Sequence, residues 1–327
     1  MVHYKRYNQT LFEMKKGRFV ISLDFELFWG IHDAFEINDY YKNVYNVKFV
    51  IPRLLSLFEQ YHTRATFATV GTIYHSTYDE FINFSSDIIK PCYSKQGLSP
   101  YEDENKVKER QYPELHFAPE LINKIRESGQ EIGTHTYSHY YCTESGADIP
   151  SFTADIKKAV EIARQNGDDV RSIIFPRNQV GSASFLKILR EQGLTSYRGN
   201  PYEDFTGRSA LKRAHRFIES YFSVTDETAN VIAEDGIVNI PASHFLRPYS
   251  KYNILNILQS RRIKKSMKRA AKYGKVYHLW WHPHNMGGDI NGNMVFLENI
   301  LKYYCELNKK YGMESVSMSD LASTIKL

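Results

Sequence analysis

Two histidines four residues apart stand in the stretch Gly133-Thr134-His135-Thr136-Tyr137-Ser138-His139. Neutral imidazoles at that spacing reach one side of a single turn and suit a divalent metal such as Zn²⁺. In a chain with 12 histidines the spacing alone says little. It gains meaning from other places where chemistry-bearing residues gather. Asp24-Phe25-Glu26 ends an apolar run, and strand alternation sends both carboxylates to one face. Burying them there is costly unless a metal, another cation or a shared proton compensates. One carboxylate with His135 and His139 makes a His₂-carboxylate set with an open position, the pattern of a catalytic metal. The other is then free to act as a base. Phe175-Pro176-Arg177-Asn178 puts a guanidinium at a strand exit, where it is expected to hold that free carboxylate. Trp280-Trp281-His282-Pro283-His284-Asn285 closes an aromatic strand with a histidine, His282, suited to general acid work. Trp29, Tyr137, Asn178, Arg198, Trp281 and His284 lie beside these groups and are the candidate substrate contacts. His278 is expected to pack inside its strand.

The elements that must position these residues follow a rhythm. Arg18–Glu26 is a nearly continuous apolar strand, as in a buried parallel sheet. Val47–Tyr61 carries Val50, Ile51, Leu54, Leu55 and Phe58 at helical spacing. Strands are expected at 66–71, before His135, at 171–178, at 195–200, at 236–244 and at 276–282. Glycines 129, 167, 193, 274 and 312 each close a helix ahead of a strand, and Thr153 is expected to cap one of those helices. Alternating strands and helices call for a parallel sheet with helical crossovers. The polar chemistry sits at strand exits throughout, and a barrel gathers all such exits on one face where an open doubly wound sheet would gather only some. The expected fold is therefore α/β, a deformed (β/α) barrel with about seven parallel strands. The whole of 1–327 reads as a single catalytic domain. Residues 75–113, with three prolines and many aromatics, read as a long insertion that could wall the cleft. Residues 201–235 read as irregular. No glycine-rich dinucleotide or phosphate-loop motif is present.

Composition narrows the class. The chain has 327 residues, 42% of them apolar, enough for a sizeable core. Its 24 tyrosines and 19 phenylalanines read first as plain core and surface packing, and only nudge the substrate towards one met in an amphipathic cleft, such as a carbohydrate. No apolar run reaches the length of a membrane span. The polar start and three scattered cysteines predict a soluble, reduced, cytoplasmic protein. Net charge is +5, yet Arg261 to Lys275 holds eight basic residues and no acid, so the remainder is net −3. That segment reads as a solvated helix face, or as a docking site for phosphate or a membrane surface. A nucleic-acid partner is not expected.

These residues resemble the polysaccharide deacetylase family, carbohydrate esterase family four. The resemblance rests on Ser22-Leu23-Asp24-Phe25-Glu26, on His135 to His139, on Pro176-Arg177 and on His282-Pro283, in the family's order over roughly residues 18 to 320. It implies a barrel with fewer than eight strands and removal of an N-acetyl group from a sugar. By it, Asp24 is the base, Arg177 orients that base, Glu26, His135 and His139 hold the metal, and His282 protonates the leaving amine. The metal implied is divalent, zinc first. The Asp-x-Glu spacing, where the usual pair is adjacent aspartates, is similar to an intracellular, allantoinase-like branch, some of whose members use no metal. The substrate expected is a cytoplasmic, nucleotide- or lipid-linked precursor of a surface polysaccharide such as O-antigen or capsule. The alternatives are metal-free hydrolysis of a cyclic amide, and a non-catalytic carbohydrate-binding barrel.

Overall fold

The computed structural model describes residues 10–11, 14–199, 228, 231–234 and 236–325. In chain order its strands are β1 (Thr10–Leu11), β2 (Arg18–Phe25), β3 (Ala65–Thr69), β4 (Glu131–Thr134), β5 (Ser172–Ile174), β6 (Ser196–Arg198), β7 (Ile232–Glu234), β8 (Ile237–Asn239), β9 (His244–Phe245), β10 (Val276–Trp281) and β11 (Glu314–Ser315). They form one curled sheet in the order β1-β7-β8-β6-β5-β4-β3-β2-β10-β9, with β11 added beside β2. From β8 to β9 every pairing is parallel. Only β7 and β1 continue the far edge antiparallel. The deformed (β/α) barrel expected from the sequence is thus present.

Strand β2 is central because it is buried on both faces. Phe19, Ile21, Leu23 and Phe25 point outward into the large core under the helices. Val20 points inward, where it meets Ala68, Ile174, Val276, Met318 and Leu321 in a second cluster that plugs the barrel. Period-two alternation then carries Ser22 and Asp24 up the same inward column. The same parity governs β10: Tyr277, Leu279 and Trp281 join the outer core, so His278 and Trp280 face inward.

Helices Val47–Gln60, Pro119–Glu127, Ile149–Gln165, Ala183–Glu191, Asn253–Tyr273 and Ile290–Tyr311 cover the outer face. Each presents an apolar stripe; Val50, Ile51, Leu54 and Phe58 are fully buried on the first. Ile149–Gln165 is capped by Asp148, which accepts from Ser151 N, and not by Thr153, whose hydroxyl bonds back to Ile149 O. Gly274 ends the basic helix at φ +62°, where a Cβ would stand 2.1 Å from Met14 O. That helix therefore runs down toward the strand entrances, and its lysine-rich half lies at the end away from the strand exits.

The insertion at 75–113 is helical, over Tyr78–Phe84 and Asp103–Gln111. Its Phe81 packs on Trp29 and Tyr137 with ring centroids 5.4 and 6.5 Å away. It is folded against the back of the strand-exit loops. The stretch read as irregular over 201–235 lies outside the described residues apart from Thr228 and 231–234. Among the described residues no helix is long and apolar enough to cross a membrane, and the three cysteines are unpaired.

Candidate active site

The inward column of β2 delivers Asp24 to the bottom of a cleft of about 390 Å³ at the strand exits. Arg198, the last residue of β6, is fully buried and clamps it: Nη1 donates to Oδ1 at 2.6 Å and Nη2 to Oδ2 at 2.7 Å. This fork matches carboxylate geometry and adds charge to both hydrogen bonds. Arg198 is held in turn by Ser22 Oγ at 3.0 Å and by Asn178 Oδ1, at 2.7 Å from Nη2. The Trp280 ring covers the guanidinium at 4.1 Å. Burial alone would push the Asp24 carboxyl up; Arg198 first, then His282 and His135, outweigh it and hold the group below its ordinary value.

Glu26 follows the strand and turns its carboxylate among imidazoles. Oε2 lies 3.2 Å from His135 Nε2 and 3.2 Å from His139 Nε2. Oε1 lies 3.5 Å from His282 Nε2 and 4.0 Å from His284 Nε2. Burial again raises the carboxyl, and the imidazoles around it, His282 first and then His135 and His139, outweigh it, leaving Glu26 well below its ordinary value. Burial lowers His139 to about 4 and His284 to about 3, so both rings are neutral near pH 7.

A divalent metal fits this set. His135 Nδ1 lies 2.8 Å from Ile174 O, and a carbonyl only accepts, so Nδ1 carries the ring proton. In the neutral ring Nε2 is then a lone pair facing the Glu26 carboxylate, an arrangement that a cation between the two completes. A carbonyl behind a metal histidine is the usual means of fixing its tautomer. Tetrahedral zinc with bonds of 2.0–2.1 Å needs donors about 3.3 Å apart, close to the 3.2 Å spacings here.

The loop carrying the pair is built under constraint. Thr136 and His139 take positive φ of 68° and 55°, and Leu27, Arg177 and Asn178 at neighbouring exits do the same. Non-glycine residues adopt this region only where their surroundings impose it, and such positions concentrate at functional sites. Asp155, wholly buried on the helix below, accepts from Tyr137 N at 2.7 Å, Ser138 N at 3.0 Å and the Ser138 hydroxyl. It anchors the turn between the two histidines. Gly30 supplies room on the other side: a Cβ there would stand 1.9 Å from the Glu26 side-chain carbon Cδ.

The structure thus brings together Asp24, Glu26, His135, His139, His282 and His284. It departs from the sequence reading at several other positions. Arg177 does not hold the carboxylate at β2; its positive φ swings it outward to Asp33 and to Glu144 at 2.7 Å, over the Tyr141 ring. Arg198, expected to touch substrate, takes that place instead. Asn178 lines the cleft but also accepts from Arg198. Trp281 is outward by parity and fully buried, while Trp280 lines the cleft. Trp29 is core, its Nε1 donating to His116 O at 2.7 Å. Tyr137 is fully buried with its hydroxyl 3.0 Å from His75 Nε2. Neither lines the cleft. His278 is packed in its strand as expected, 2.8 Å from Ser22 Oγ.

Asp155, Trp280, Tyr40 and Asn285 have no role assigned from the sequence, although Trp280 and Asn285 belong to the stretch that carries His282. Asn285 Nδ2 lies 3.2 Å from His282 Nδ1, and Asn285 Oδ1 accepts from the Tyr40 hydroxyl at 2.9 Å. The amide therefore donates to Nδ1 and leaves the proton of neutral His282 on Nε2, facing both carboxylates; the Asp24 oxygen is 3.6 Å away. An aspartate on the apolar helix face of Phe152, Ile156 and Ala159 was the available signal for Asp155.

Residues 37–197 match a family model described as polysaccharide deacetylase. The match holds His135, His139 and Arg177 and excludes Asp24, Glu26, Arg198 and His282. Among solved structures, a protein described as a polysaccharide deacetylase from Mycobacterium smegmatis is 15% identical over 97% of this chain and 95% of its own, with a TM-score of 0.59. Puue allantoinase is 11% identical over 94% of this chain and 90% of its own, TM-score 0.57. A protein from Pseudomonas aeruginosa described as a polysaccharide deacetylase is 12% identical over 94% and 91%, TM-score 0.55. At such identities the likeness is one of fold. Comparison with curated protein sequences finds no match.

Proposed function

From its place in the polysaccharide deacetylase family, a family of hydrolases to which this chain belongs, we propose that it removes an N-acetyl group from a sugar with the help of a divalent metal. The observation that carries this is the arrangement around Glu26: two imidazole nitrogens at 3.2 Å on one oxygen, with Asp24 and His282 beside it in one cleft.

Glu26, His135 and His139 would hold the metal, which supplies Lewis acidity toward the amide oxygen and the attacking water. Asp24 accepts the proton of that water. Arg198 engages both of its oxygens, keeps it ionised, and leaves the outer lone pairs toward the cleft. His282 donates its Nε2 proton to the nitrogen that leaves. Trp280 offers an apolar face for a sugar ring, and Phe35 with Tyr40, stacked at 4.7 Å, offers another at the mouth.

The cleft volume is at the small end for ligand pockets and suits a short sugar. Within this reading the substrate is a nucleotide- or lipid-linked precursor of a surface polysaccharide, met in the cytoplasm. Three unpaired cysteines support a reduced compartment. The lysine-rich half of the Asn253–Tyr273 helix points away from the cleft, so it suits a membrane surface rather than a diphosphate bound with the sugar.

The test is acetate release from N-acetylated sugars offered free, nucleotide-linked and lipid-linked, before and after chelation. Asp24→Asn is expected to abolish release. Full activity in that variant, or chelation-insensitive turnover of a cyclic ureide in place of the sugars, overturns the proposal.

A further inference from the structure

The two oxygens of Glu26 keep different company. Oε2 belongs to His135 and His139; Oε1 faces His282 at 3.5 Å and His284 at 4.0 Å. Each trio, Glu26–His135–His139 and Glu26–His282–His284, brings its ligand atoms within 4.8 Å of one another. We propose that the second trio is a cation site in its own right, binding a second divalent ion of zinc-like preference through Glu26 Oε1, His282 Nε2 and His284 Nε2. It rests on the reading above in sharing Glu26 as a bridge to the first ion.

The donor types are right, since two imidazoles and a carboxylate oxygen suit zinc and its neighbours. The rings of His282 and His284 stack at 5.1 Å with planes 20° apart, so both can point the same nitrogen at Oε1. The spacings are wider than the 3.2 Å of the first trio. Closing the two oxygen–nitrogen spacings to the roughly 3.3 Å a tetrahedral ion requires takes shifts of about 0.2 and 0.7 Å. The first trio therefore fills first and the second at higher metal concentration. Carboxylate-bridged pairs of this kind are a known arrangement among metal hydrolases.

His282 must present a lone pair at Nε2 to serve as ligand, and its neighbours permit this. With Asn285 Nδ2 on Nδ1 and Asn285 Oδ1 on the Tyr40 hydroxyl, His282 carries its proton on Nε2. Turning the amide over places Oδ1 on Nδ1 and Nδ2 on the hydroxyl, which accepts as readily as it donates. No hydrogen bond is lost, and the proton moves to Nδ1. The Tyr40–Asn285 pair thus supports both a donor form and a ligand form of His282. Filling the second site selects the ligand form and withdraws the proton donor, so excess metal inhibits.

The experiment counts ions. Metal-free full-length protein is dialysed against rising Zn²⁺ and the bound metal is measured by mass spectrometry. Wild type is expected to take one ion per chain and then a second. His284→Gln is expected to stop at one. Asn285→Asp, whose carboxylate only accepts from Nδ1, is expected to draw the second ion in at about tenfold lower Zn²⁺. One ion at saturation in both wild type and His284→Gln overturns the second site and leaves the first reading standing. A single ion that survives His139→Gln and is lost in His284→Gln supports the second trio and overturns the assignment of the first. Should His284→Gln fail to fold, Asn285→Asp decides alone: unchanged or weaker uptake of the second ion overturns the proposal.

Discussion

Arg198→Met is the change that asks most of this structure. Arg198 is fully buried and gives two charged hydrogen bonds, of 2.6 and 2.7 Å, to a carboxylate that is itself only 3% exposed. Removing one partner of a buried pair costs about 3–5 kcal/mol, because the remaining charge stays buried without compensation. His282 and His135 still face Asp24, so the lower end is expected, about 3 kcal/mol at neutral pH. That is a large share of a typical 5–15 kcal/mol of stability, and the fold should survive it. The pH dependence carries the sharper signature. In the native protein Asp24 is held below its unfolded value, so its contribution is present above the unfolded pKa and is lost as pH falls through the folded one. Without Arg198, burial pushes the group up; once it passes the unfolded value the sign reverses, and stability falls as pH rises through the new pKa. As the proposed base, Asp24 should also set the acid limb of kcat/KM in the free enzyme, and that limb should move to higher pH. Urea unfolding across a pH series and a pH–rate profile measure both. An acid limb that stays in place in Arg198→Met, or that moves instead in Arg177→Met, refutes the assignment of the clamp.

Chelation is expected to lower the unfolding temperature as well as activity, since an ion held at a thousand times its dissociation constant adds about 4 kcal/mol; calorimetry with and without Zn²⁺ reads this. Trp281→Ala should cost about 3–5 kcal/mol in denaturant unfolding, as a large side chain lost from the outer core. Trp280→Ala should cost less stability and raise KM, because that ring borders the cleft and covers Arg198. Asp155→Ala should weaken metal binding by about 10–100-fold, measured by competition with a chromogenic chelator, since it frees the turn between the histidines.

What could be read from the residues, and what could not, divides on a physical line. Asp24 and Glu26 were legible because period two and an apolar strand put both at one exit. The helices were legible because glycine ends them and apolar stripes mark their inner faces. The two tryptophans were not separable in the same way. A strand buried on both faces shows no polar alternation, so Trp280 and Trp281 look alike until register is known. The two arginines posed a similar choice. Both stand at strand exits, and the positive φ that turns Arg177 away from Asp24 is a property of the folded loop. Asn285 escaped because its role depends on Tyr40, 245 residues earlier.

Gly30 has a consequence of another kind. The Glu26 carboxylate occupies the volume that any side chain at position 30 would fill. The proposed metal centre therefore depends on vacant space as much as on donor atoms. A chain with alanine at that position would keep Asp24, Glu26, His135, His139 and His282, and by its motifs would still pass for a hydrolase. Its acidic ligand would have to leave the position from which it meets His135 and His139. Gly30→Ala accordingly offers a silent form of the protein, with every functional group in place and the centre undone by steric exclusion alone.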